Sequence, residues 1–177
     1  MKINIKPINA ILFGTLLAFL VVGCGGGSET SSGGSSGNLN IYLTDAPTDE
    51  VSSVNVYISG LTVKRSGSSI ERISNDVGLI DLLILTNSTQ LIAVANVLPG
   101  NYEFIRVELD QERSNVILKS TGSSVPVKIP SEEIKVPGGF VVDKTGQTDV
   151  VLDFDADRSL VKLGNNNWLL KPVIVKK

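Results

Sequence analysis

The sequence of 177 residues contains no histidine and a single cysteine. Without imidazole, Ser-His-Asp and Cys-His catalysis and every histidine-ligated zinc or iron centre are excluded. One cysteine excludes a disulfide framework and any CxxC redox or zinc site. Aromatic residues are scarce at 5%, with one Trp, three Tyr and five Phe. A sugar platform made of several aromatic rings has little to be built from. Positive charge is not in excess either: 16 Lys and Arg stand against 18 Asp and Glu, for a net charge of -2. That balance leaves no electrostatic footprint for nucleic acid. What remains, 42% hydrophobic and 19% charged residues, is a globular composition of a length that suits one ordinary domain.

The hydrophobic residues are unevenly placed. Lys2 and Lys6 precede an uncharged, almost wholly apolar run of 13 residues from Ala10 to Val22. As a helix it would measure about 20 Å, short of the roughly 20 residues that span a bilayer. The pattern is that of a signal-peptide core, with residues 1–23 as the leader. Val21-Val22-Gly23-Cys24 follows and resembles the lipobox of bacterial lipoproteins. The resemblance implies diacylation of the Cys24 sulfur, cleavage after Gly23 and acylation of the freed amine, with palmitate as a typical chain. Each buried CH₂ adds about 0.8 kcal/mol of membrane affinity, so two or three chains hold a protein stably. Loss of the leader takes two lysines and no acid, moving the net charge from -2 to about -4.

Residues 24–38 form the next segment: Cys24, then GGGSETSSGGSSGN, whose one charge is Glu29. Gly and Ser at this density cannot form a core and read as a flexible tether, with an r.m.s. span of about 20 Å. Gly25 stands where an aspartate would be read as inner-membrane retention, so the outer membrane is the expected destination rather than the inner.

From residue 39 to 177 the pattern becomes short strands broken by turns. Leu39, Ile41 and Leu43 alternate with polar neighbours, as do Val54, Val56 and Ile58, then Ile105, Val107 and Leu109, then Val150, Leu152 and Phe154. A period of two marks half-buried strands. Further strands are expected at 61–65, 70–74, 77–85, 115–120, 125–129, 139–144 and 169–175. Helix is expected only over 156–163 and, with strand as the alternative, over 88–96. Ala46-Pro47-Thr48-Asp49, Leu98-Pro99-Gly100-Asn101, Pro137-Gly138-Gly139 and Gly164-Asn165-Asn166-Asn167 supply turns. This frequency of strands predicts an all-β sandwich.

Four blocks in order carry a family resemblance: Leu39-Asn40-Ile41-Tyr42-Leu43-Thr44-Asp45-Ala46-Pro47; Leu98-Pro99-Gly100-Asn101-Tyr102 running into Ile105–Leu109; Asp149–Asp157; and Leu170-Lys171-Pro172-Val173-Ile174-Val175. Together they resemble the bacterial and archaeal family called domain of unknown function 4382, over residues 39–176. The resemblance implies an exported, often lipid-anchored, β-rich domain of the immunoglobulin or transthyretin kind, and no established activity.

Three groups of residues offer chemistry. Asp149, Asp153 and Asp155 alternate on one strand face, and Asp157 follows. Hard oxygen ligands of this type suit Ca²⁺. Arg158 stands where an EF-hand loop needs glycine and Gly164 where it needs a bidentate glutamate, so the row is no EF-hand. A sandwich edge could still hold Ca²⁺, with Asp45 or Asp49 and Glu50 joining; the alternative is a solvated polar face. Asp45, before Ala46-Pro47, reads as a turn cap bonding backbone N–H groups two residues on, or as a ligand contact. Trp168, beside Asn165-Asn166-Asn167, reads as a packing residue or as a sugar-stacking one.

No catalytic residues and no required cofactor emerge, Ca²⁺ being the single candidate ion. The expectation is a non-enzymatic, lipid-anchored envelope protein displaying a structural or adhesive binding module. Its partners would be the membrane through the anchor and an envelope protein or extracellular polysaccharide, not nucleic acid. A Ca²⁺-dependent carbohydrate-binding module and an accessory or inhibitor domain of an envelope enzyme are the alternatives.

Overall fold

The alternation becomes a two-sheet sandwich in the computed structural model, which describes residues 35–46, 48–49, 51–165 and 167–177. In chain order the strands are β1 (Gly37–Ala46), β2 (Val51–Arg65), β3 (Ile70–Ser74), β4 (Gly78–Asp81), β5 (Gln90–Val97) and β6 (Gly100–Leu118). They continue as β7 (Ser124–Lys128), β8 (Glu133–Val142), β9 (Gln147–Asp155), β10 (Leu160–Gly164), β11 (Asn167–Leu170) and β12 (Ile174–Lys176). A 3-10 helix covers Leu82–Leu85 and one helical turn, α1, covers Ala156–Ser159. One sheet runs β12-β9-β1-β5; the other runs β10-β11-β7-β6-β2-β3, with β8 added on β6 and β4 on β2.

The core is the inward half of each alternation. Leu39, Ile41 and Leu43 of β1 lie beside Val150, Leu152 and Phe154 of β9, to which β1 pairs in parallel. Val54, Val56, Ile58, Leu61 and Val63 of β2 join Ile105, Val107 and Leu109 of β6 in the same buried cluster. Each such side chain contributes about 1.5–3 kcal/mol by leaving water. A slip of one residue in any of these strands would turn its whole apolar set outward, so the pattern also fixes the register.

Sequence expectations and structure part at identifiable places. The 88–96 segment is strand, β5, because its uncharged residues pair along β1. Helix over 156–163 is reduced to α1, and Leu160 onward pairs with β11 instead. The strand expected at 77–85 stops at Asp81, whose carboxylate accepts from the N–H groups of Leu83 (3.1 Å) and Val54 (3.2 Å) and starts the 3-10 helix. Pro137-Gly138-Gly139 is a bulge within β8 rather than a turn: Gly138 takes φ +112°, and pairing with β6 slips between Tyr102 and Phe104. The strand expected at 169–175 divides at Pro172, so that β11 closes in one sheet and β12 begins in the other, against β9. Gly37 and Asn38, assigned above to the tether, already belong to β1. A side chain at Gly37 would collide with the carbonyl oxygen of Asp143.

The corner between β5 and β6 is closed by Tyr102. Its hydroxyl donates to the Leu98 carbonyl at 2.7 Å, and its ring stacks on Phe140 with centroids 5.0 Å apart. A tyrosine bonding back over a corner in this way recurs in immunoglobulin-type sandwiches.

Candidate functional site

The acidic row is dispersed by its own partners. Asp149 accepts from Asn40 Nδ2 at 3.0 Å and from Gln147 Nε2 at 2.8 Å. Asp153 pairs through Oδ2 with Lys177 Nζ at 3.0 Å, while its Oδ1 is buried without a partner among the described residues. Asp155 caps α1, accepting from the Arg158 N–H at 2.9 Å, with the Arg158 guanidinium 3.7 Å away. Asp157 is exposed in that turn. Asp149 and Asp153, four positions apart on a strand, are separated by about 13 Å at the usual rise. Among the described residues no three acids, histidines or cysteines are gathered where they could hold a metal ion.

Among the described residues, the side-chain hydrogen bond of Asp45 reaches not the turn that follows it but a segment far along the chain. Asp45 lies at the inner end of β1, opposite Phe154, with 4% of its surface exposed. Oδ1 accepts from the backbone N–H of Ala156 at 2.9 Å, tying β1 to the start of α1, 111 positions away. Oδ2 is buried and has no partner among the described residues. Burial pushes the Asp45 carboxyl up to about 7; N–H bonds from Ala156 and Ala46 oppose the shift, and the charges of Asp153 and Asp155 add to it. Asp49 lies elsewhere, 3.6 Å from Lys119 Nζ, which also donates to the Asp49 carbonyl at 2.7 Å. Glu50, Cys24 and the proposed leader lie outside the described residues.

Trp168 is a core residue. As an inward position of β11 it is 3% exposed, packed beside Val127 of β7 and opposite Lys162 of β10, whose ammonium is 5.6 Å from the ring centroid. Its face is not open for stacking on a sugar, because the strand alternation that buries Leu170 buries Trp168 as well.

What the structure does build is a depression along one edge of Trp168, of about 450 Å³, lined also by Val127, Pro126, Leu163, Gln111 and Lys128. Two bulges shape it. In β6, four residues (111–114) stand opposite the single residue Val56 of β2. Ser114 Oγ closes that bulge, donating to the Asp110 carbonyl at 2.6 Å and accepting from the Tyr57 N–H at 3.0 Å. Arg113, bonded to Asp110 at 2.7 Å, holds the Asp110 carboxyl below the ordinary range and lies 3.5 Å over the Tyr57 ring. The bulge presents Gln111, whose Oε1 accepts from the Ile129 N–H at 2.7 Å. In β10, Leu163 is the extra residue where pairing slips between Lys162 and Gly164. Bulges of this kind re-aim side chains beside binding sites. A second depression, of about 390 Å³, lies between Pro130, Ile134 and Pro172.

The sequence patterns did not single out Gln111, Lys128 or Leu163. The usable signal was Asp110-Gln111-Glu112-Arg113-Ser114, a polar run that interrupts the alternation of β6.

Residues 36–172 match the family model described as domain of unknown function 4382. The chain belongs to that family. The match begins one residue before β1 and ends just after β11, so it takes in Asp45 and the residues around Trp168 and stops short of β12. No curated protein matches the chain. Among solved structures it is similar to a protein of Bacteroides fragilis provisionally assigned to cell adhesion, at 10% identity and a TM-score of 0.32. That likeness covers 81% of this chain and 45% of the other, so the chain spans less than half of its neighbour's length.

Proposed function

We propose that this member of the family is a lipid-anchored envelope protein that displays a non-catalytic binding domain on a short tether. The observation that carries the reading is Val21-Val22-Gly23-Cys24, set between a 13-residue apolar run and a Gly/Ser-rich segment. The only cysteine of the chain falls at the one position where acylation would use it. Gly25 after it favours the outer membrane. The sandwich suits display, since its register and core are fixed by alternation and need neither disulfide nor metal. The residue inventory suits binding rather than catalysis: no histidine is present, and Asp45, whose carboxyl burial pushes up to about 7, is buried and lines neither depression.

Partition of the full chain expressed in a bacterial host tests the reading. The wild-type chain is expected in the membrane fraction, labelled by an alkyne fatty acid, and Cys24→Ser is expected to lose both. An unlabelled wild-type chain, or a Cys24→Ser chain that keeps its label, would overturn it.

A further inference from the structure

The depression beside Trp168 combines features that single out a ligand chemistry. Lys128 is the one charged residue of its lining, and no carboxylate lines it. Among the described residues Lys128 enters none of the ion pairs. Gln111 and Asn167 place amides on the rim, and Val127, Pro126 and Leu163 supply an apolar floor and wall. The volume of about 450 Å³ falls within the roughly 300–1,000 Å³ of small-ligand sites. The indole N–H of Trp168 is buried without an acceptor among the described residues. Such an orphan donor costs about 1–3 kcal/mol.

We propose that this depression binds a carboxylate-bearing sugar unit of an acidic extracellular polysaccharide. The carboxylate meets Lys128, the rim amides meet hydroxyls, and the C–H face of the ring rests on Pro126 and Leu163. A peptide added as a strand fits less well. The open edge here is β10, and the bulge at Leu163 followed by Gly164 interrupts the regular ladder that an added strand requires. Trp168 borders the site without serving as a stacking platform. The proposal gives the binding-domain reading its ligand and rests on it.

Trp168 is the only tryptophan of the chain, so its emission reports on the site alone. The full chain in detergent is titrated with trigalacturonate, with the neutral trimer maltotriose, and with a tripeptide bearing a free carboxylate. Trigalacturonate is expected to give a saturable emission change, and the neutral trimer to bind at least about tenfold more weakly, the worth of one charge-assisted contact. Lys128→Gln, at an exposed position, is expected to remove that difference with no change in melting temperature, and Leu163→Ser to weaken binding of both sugars. No saturable change in the millimolar range overturns the proposal. So does equal binding of the neutral trimer, indifference to Lys128→Gln, or tighter binding of the peptide. An anchored chain that ignores the sugar refutes the ligand alone, whereas an unanchored chain that binds it refutes the anchor alone.

Discussion

Asp45 shows how position decides what a carboxylate does. The same residue type is exposed and ion-paired at Asp49, yet at Asp45 it is closed off with one oxygen unpartnered. Because burial raises the Asp45 pKa from 3.8 to about 7, the folded state holds a proton there more tightly than the unfolded chain does. Its penalty is therefore absent below about pH 4, grows as pH rises toward 7, and is constant above that. At 1.36 kcal/mol per unit it reaches at most about 4 kcal/mol. Denaturant melts from pH 4 to 8 should show wild-type stability falling across this window, and Asp45→Asn, which keeps an oxygen for the Ala156 N–H, should flatten the fall. A variant with an unchanged pH profile would remove Asp45 from the account. Asp149 and Asp155 of β9 make the opposite case, and Asp153 stands between, with Oδ2 paired to Lys177 and Oδ1 buried without a partner among the described residues. Asp149, Asp153 and Asp155 each have their own partners, so millimolar Ca²⁺ after EDTA is expected to leave the melting temperature unmoved. One site filled to 100 times its Kd would add about 2.7 kcal/mol, and a shift of that size would restore the row as a metal site.

At the scale of elements, what was legible follows from which forces act locally. The inward residues of β1, β2, β6 and β9 were readable because period-two burial writes itself into the sequence. The choice between strand and helix at 88–96 and the conversion of 160–163 to β10 were not, because partner strands far along the chain decide them. The fusion of two expected strands into β6 was hidden by the polar 110–114 bulge, the feature that builds the candidate site, so the site was illegible for the same reason as the strand. Trp168 and the acidic row were visible as residue types, but their burial and partners were not. The β5–β6 corner tests the element scale directly. Tyr102→Phe keeps the stack on Phe140 and removes only the bond to the Leu98 carbonyl, so it should cost about 1–2 kcal/mol by chemical denaturation, with an unchanged m-value. A neutral substitution would mean that Gly100 and the stack alone hold the corner.

For the whole molecule, the account joins three parts with different physical jobs. Under the proposed function, acyl chains on Cys24 would supply membrane affinity and the Gly/Ser segment reach, while the sandwich, with its fixed register, supplies a surface that keeps its shape. The sandwich depends on cooperative packing. Core substitutions should therefore affect folding, whereas substitutions in 25–34 should affect neither folding nor anchoring. The anchor is the part on which the rest of the reading depends. The most direct measurement is tandem mass spectrometry of the amino-terminal peptide of the protein isolated from membranes. The account predicts a peptide that begins at Cys24 and carries a diacylglyceryl group on its sulfur. A peptide that begins at any other residue, or an unmodified Cys24 thiol, would contradict it.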